Sequence, residues 1–161
     1  MTDETIRFCN EPEVTAMKRA SPYLMFLGQT EEAFAFYRTV FGGDYTGVVR
    51  YRDMGMAGGD EHEGDLIAHI SLPIADETVL MGSDVAGAQA ESFRVGTNVE
   101  IHLTASDAAE AQRVFSALAS GGTTLMPLDR TAWAELFGSC SDRYGVRWMV
   151  DYTGEVQFPT G

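Results

Sequence analysis

Two hydrophobic periods alternate along this chain. From Ser21 to Gly28 an apolar run, with Pro22 at its start and Gly28 at its end, predicts a buried strand. Thr30 then offers a helix N-cap, and Glu31 and Glu32 sit at the positive end of the helix dipole. Ala33, Phe36, Tyr37 and Val40 follow at i, i+3, i+4 and i+7, one helix face, until Gly42-Gly43 stops it. The same order then returns. Val99 to Thr104 alternates like a strand, and Ser106 or Asp107 caps a helix. Ala111, Val114, Phe115 and Leu118 repeat the spacing, and Gly121-Gly122 ends it. The glycine pairs lie 79 residues apart, and Phe36 maps onto Phe115 at that offset.

Strand-like material follows each helix: Tyr45–Arg52, Asp65–Leu72 and Glu77–Met81 in the first half, Thr123–Leu128, Glu135–Cys140 and Val146–Tyr152 in the second. Asp142-Arg-Tyr-Gly145 reads as a hairpin turn. Each half is therefore βαβββ, and the fold class is α+β. The expected organisation is an extension over 1–20, a first module over 21–85, a linker over 86–96 rich in Ala, Gly and Ser, a second module over 97–153 and a tail over 154–161. A module this small is marginal alone, so the two should pair, with a curved sheet cleft between their free faces.

Composition narrows the function classes. The chain has 161 residues and an ordinary globular balance, 45% hydrophobic and 22% charged. No apolar run approaches membrane-spanning length, and the acidic start does not read as a secretory signal, so a soluble cytoplasmic protein with no membrane partner is expected. Eleven Lys+Arg against 24 Asp+Glu give a net charge of −13, which repels phosphate backbones and argues against nucleic acid. The surplus acid suits either a solubilising surface or a cationic ligand. Lys18 is the sole lysine, which makes a buried Schiff base improbable. Cys9 and Cys140 have neither disulfide-framework nor metal-ligand spacing.

Paired βαβββ modules resemble the vicinal oxygen chelate superfamily, which includes glyoxalase I, extradiol dioxygenases and bleomycin-resistance proteins. Within it the chain looks like the PhnB-like branch. The residues carrying that resemblance are Tyr23-Leu-Met-Phe26, Glu32, Ala33, Phe36, Tyr37, Phe41-Gly-Gly43, Ile67-Ala-His69 and Leu80-Met-Gly-Ser-Asp84. To these are added Trp133-Ala-Glu-Leu-Phe-Gly138, Asp142, Tyr144-Gly-Val146 and Trp148. The match runs from about Ser21 to Tyr152. Some PhnB-like chains carry a ubiquinone-methyltransferase label, but no glycine-rich turn joins a strand to a helix here to cradle a nucleoside cofactor.

The resemblance implies where a metal would sit: metalloenzymes of the superfamily hold one divalent ion with two side chains per module, on the first and last strands. Those positions fall on Pro22, Met81, Glu100 (or Ile101 after a one-residue slip) and Met149. Proline has no donor and thioethers suit hard divalent ions poorly, so no metal and no other cofactor is expected. The pocket candidates are His69, Met81, Glu100, His102, Trp133, Phe137 and Met149. Glu100 and His102 are i, i+2 on one strand and share a face. Glu100 is either a base or anchor in the cleft, or a carboxylate paired with Arg147. His69 is either a proton shuttle or a histidine bonded within its sheet. Trp133 and Phe137 are core or cleft wall, and the two methionines should make a soft apolar floor. His62 lies in the acidic run Asp60–Asp65, read as a solvated loop.

Three readings of function follow. The first is a metal-independent PhnB-like homodimer binding a small organic molecule between its modules. The second is a drug-sequestering protein of the bleomycin-resistance type. The third is a divergent metalloenzyme (lyase, isomerase or dioxygenase) with a relocated site at His69, Glu100 and His102.

Overall fold

A computed structural model describes residues 18–55 and 61–156. The first module comprises β1 (Tyr23–Phe26), α1 (Thr30–Phe41), β2 (Gly47–Arg50), a short 3-10 turn (Tyr51–Met54), α2 (Glu61–Asp65), β3 (Ile67–Pro73) and β4 (Val79–Asp84). After a connection carrying the single-turn α3 (Gln89–Ser92), the second comprises β5 (Ile101–Thr104), α4 (Ala108–Ala119), β6 (Thr123–Asp129), β7 (Leu136–Ser141) and β8 (Arg147–Tyr152). Each builds a 4-stranded sheet with the same order, β1-β4-β3-β2 and β5-β8-β7-β6. In both, the first strand is parallel to the last, and the other pairs are antiparallel. The duplicated βαβββ pattern is as the sequence predicts. Residues 1–17 and 157–161 lie outside the described residues, and with them Cys9 and most of the expected extension and tail.

Four local expectations change. Gln29, not Thr30, is the residue before α1, and its side chain makes no cap. Thr30 instead donates through its amide (3.0 Å) and Oγ1 (2.7 Å) to Asp84 Oδ1 at the end of β4. Asp84 is buried, and its Oδ2 accepts from the Ile67 amide at 2.9 Å, so one carboxylate ties β3, β4 and the helix start together. The second helix is capped locally: Asp107 accepts from the Glu110 amide, and Glu110 accepts from the Ser106 amide and hydroxyl. The helices also start 78 residues apart, not 79. Phe115 therefore takes the place of Tyr37, and Phe36 is only half-buried; the extra residue is Ser120, inserted before Gly121. Finally, Glu61–Asp65 is helical and not a loop; Asp60 lies outside the described residues.

Each helix lies close on its own sheet because a glycine stands beneath it. A Cβ on Gly82 of β4 would come within 2.7 Å of the Phe34 ring, and one on Gly138 of β7 within 2.9 Å of the Phe115 ring. Strand β1 is buried on this helix-covered face at Phe26, whereas Tyr23 and Met25 on its other face are 47% and 45% exposed. The expected buried strand is thus buried on one side only.

The modules pair through their helix-covered faces. Tyr37 and Phe41 of α1 meet Trp148 of β8, with ring centroids 5.5 and 5.6 Å apart, and Phe36 meets Tyr144 at 5.8 Å. Arg113 of α4 donates to the carbonyl of Val40 at 2.8 Å. At the centre, the buried Asp142 accepts at Oδ2 from Tyr37 Oη and from Trp148 Nε1, both at 2.8 Å. Its Oδ1 accepts the amides of Tyr144 (2.8 Å) and Val146 (3.0 Å), which closes the β7–β8 turn. Burial and then the charge of Asp142 push the Tyr37 phenol far above its usual range, so it remains a donor at any working pH. The two halves share one apolar core, from Phe26, Phe34 and Leu80 to Leu118, Trp148 and Val150.

Removing the Asp142 carboxylate strands these buried donors, at about 1–3 kcal/mol each. Asp142→Ala should therefore lose at least about 3 kcal/mol, a fall in Tm of roughly 6–12 °C for a chain of this size. Tyr37→Phe, which removes one bond and keeps the ring, should lose much less; thermal unfolding followed by circular dichroism checks the ranking.

Candidate functional site

Strand register assigns every side chain of the two sheets to a face. Met81 stands opposite Tyr23 and Ser71, so Tyr23, Met25, His69, Ser71 and Met81 share the face of the first sheet away from α1. Met149 stands opposite His102 and Ser139, so Glu100, His102, Phe137, Ser139, Met149 and Asp151 share the face of the second sheet away from α4. Because the modules join through the other faces, these two open faces look outward and not at each other. This corrects the expectation of a cleft enclosed between them within one chain. The physical reason is the large aromatic residues, Tyr37, Phe41 and Trp148, which lie on the helix side and bury only if the helices meet.

The candidates accordingly divide. His69 and Met81 lie on the first open face, where Tyr23 Oη and His69 Nδ1 are 3.3 Å apart, a bond within the sheet. On the second face His102, Trp133, Phe137 and Met149 line a single hollow of about 270 Å³ together with Asp151 and Thr153. Trp133 is 43% exposed, in the turn where Thr131 accepts the amide of Ala134, and its ring meets Phe137 edge-on at 5.6 Å and 72°. It is wall and not core, whereas Trp148 is core.

Polar geometry within the hollow is ordered. His102 Nε2 lies 2.7 Å from Asp151 Oδ1. The same oxygen accepts from Thr104 Oγ1 at 2.9 Å, and Oδ2 accepts from Thr153 Oγ1 at 3.2 Å. Asp151 and Thr153 were not among the sequence candidates. The signal available was the i, i+2 spacing of Asp151 from Met149, which places both on one face.

Glu100 does not enter this hollow as a free base: its Oε1 is ion-paired with Arg147 Nη2, and Arg147 Nη1 donates to the Thr97 carbonyl at 3.0 Å. The metal positions implied by the resemblance do not make a donor set. Pro22 and Met81 stand on the first module, Met149 offers a thioether on the second, and the one carboxylate belongs to Arg147. Nor are His69, Glu100 and His102 brought together within the chain, since His69 is on the opposite module. Among the described residues no group of three or more His, Cys, Asp or Glu could hold a metal ion, and no helix is long and apolar enough to cross a membrane.

Cys140 is buried on the helix side of β7, and burial, with Asp142 and Glu100 nearby, pushes its thiol up to about 11. It should resist iodoacetamide in the native protein at pH 8 and react once guanidinium unfolds the chain; peptide mass mapping reads both states.

The family described as 3-demethylubiquinone-9 3-methyltransferase matches residues 18–151. Protein YjdN of Escherichia coli (strain K12) is 30% identical over 140 residues, spanning 81% of this chain and 92% of YjdN. Among solved structures, protein PA1353 from Pseudomonas aeruginosa is 34% identical with a TM-score of 0.70, over 83% of this chain and 96% of that one. A putative 3-demethylubiquinone-9 3-methyltransferase, PhnB protein, from Bacillus cereus is 26% identical with a TM-score of 0.67, over 83% and 98%.

Proposed function

Since the chain belongs to the 3-demethylubiquinone-9 3-methyltransferase family, the PhnB-like branch of the vicinal oxygen chelate superfamily, we propose that it is a cytoplasmic protein that binds a small organic molecule without a divalent metal. The observation that carries this reading is the hollow on the second sheet, where two aromatic side chains, a methionine and an oriented histidine converge. Ligand sites are typically apolar concavities with a few fixed polar groups, and this hollow has that composition. The donor chemistry of Pro22, Met81, Glu100 and Met149 supports a metal-free site.

The family's name is not carried over as an activity. The connections from strand to helix, Leu27-Gly-Gln29 and Ala105-Ser-Asp107, lack the glycine-rich backbone that approaches a nucleoside cofactor. A homodimer is part of the proposal. Tyr23 and Met25 on one open face, and Met126 and Trp133 on the other, leave apolar surface that a second copy would cover.

Protein purified without chelator should carry far less than one equivalent of Ni, Zn, Mn or Fe by plasma mass spectrometry; a stoichiometric metal overturns the metal-free reading. Light scattering should give twice the monomer mass. In an NMR fragment screen, amide shifts should cluster on His102, Trp133, Phe137, Met149, Asp151 and Thr153. A cluster elsewhere would move the site.

A further inference from the structure

The second open face holds more than a binding surface. Asp151 is nearly buried, with its side chain 10% exposed, and it accepts from Thr104, Thr153 and His102. A carboxylate acting only as acceptor requires its histidine partner to supply the proton, so Nε2 of His102 carries the hydrogen. The neutral imidazole then has its lone pair on Nδ1, and the ring, 53% exposed, lines the hollow beside Trp133, Phe137 and Met149. A histidine fixed in one tautomer by a second-row carboxylate, with its other nitrogen available, is the arrangement general-base chemistry needs.

The lining also restricts what can sit there. Trp133 and Phe137 meet at 72°, a corner that offers a ring face and a ring edge to one flat molecule. The lining holds no lysine or arginine to take a carboxylate or phosphate, and Asp151 is already engaged, so it does not anchor a cation. What the hollow offers a ligand is therefore an aromatic corner and a proton acceptor.

We propose that His102 is a general base, positioned by Asp151, that takes the proton of an acidic hydroxyl (a phenol or enol) on a planar molecule seated in the Trp133–Phe137 corner; this rests on the hollow being the ligand site. The step is balanced without metal or redox partner. The ligand's O–H bond breaks, its electron pair stays on oxygen, the proton moves to Nδ1, and the imidazolium is stabilised by Asp151. The proton returns when the ligand is released or is passed to another atom of it. His102 is the catalytic residue and Asp151 the positioning residue.

The test uses 4-nitrophenol, whose phenolate band reports the proton and whose ring quenches Trp133 emission, with 4-nitroanisole as a ring lacking the hydroxyl. In the wild-type protein both compounds should quench. Bound nitrophenol should ionise with an apparent pKa about one unit lower than in buffer, a tenfold change in its ionisation constant. His102→Gln, at a half-exposed position, should keep the quenching and lose the shift. Asp151→Asn should reduce the shift, and the 15N resonances of His102 should change from one tautomer to a mixture, a readout that mere loss of packing would not move. Quenching without a band shift in the wild type, or a shift that survives His102→Gln, overturns the base assignment and leaves the hollow as a binding site. No quenching by either compound overturns the hollow as an aromatic site, and the base assignment with it.

Discussion

A single carboxylate sets the relation between the two halves. Asp142 sits at the β7–β8 turn of the second module, yet one of its oxygens accepts from Tyr37 on the helix of the first. The same oxygen accepts from Trp148 beneath it, and the other shapes the turn. Buried polar groups are tolerated only when satisfied, so Tyr37, Trp148 and the turn must all be in place at once. That requirement fixes α1 against the second sheet and forces the modules to meet helix-side inward.

The position of the site follows from this. With helices between the sheets, each open face is left free to take a ligand or a partner copy. The faces have diverged. The first carries the Tyr23–His69 pair, and the second carries an oriented His102 within an aromatic hollow. Glu100, the one carboxylate at an expected ligand position, is neutralised by Arg147 on the neighbouring strand. Two sheets with one strand order thus carry different side chains on their open faces, which shows how little a fold by itself fixes chemistry.

Much of the architecture was legible in the sequence, because apolar spacing and glycine punctuation encode the repeat directly. The end of α1 at Gly42, the Asp142–Gly145 turn and the βαβββ succession of elements in each module follow from local pattern, whereas α4 stops at Ala119 with Ser120 as its cap, one residue short of Gly121. What was not legible is non-local. The start of α1 looked like a Thr30 cap because the true partner, Asp84, is 54 residues away. Phe36 looked like a core position because a periodic pattern cannot say that a helix will be covered on two sides, which is what buries Phe34. His102, Phe137 and Met149 share a face because strand parity is a local property, and Trp133 joins their hollow from the turn before β7; the orientation of one module to the other is not local. His69 and Met81 were therefore assigned to a shared interior that the chain does not form.

The two helices differ in how they begin, and this bears on the order in which the halves assemble. The second helix has its start signal within Ser106–Glu110, available as soon as that segment exists. The first must wait for the last strand of its own sheet to deliver Asp84, a closure across most of the module. Loop-closure entropy makes such distant contacts slow, so the start of the second helix can form before that of the first. A ribosome, however, releases the halves in the opposite order, and the emerging first module has neither Trp148 nor Asp142 to cover Tyr37.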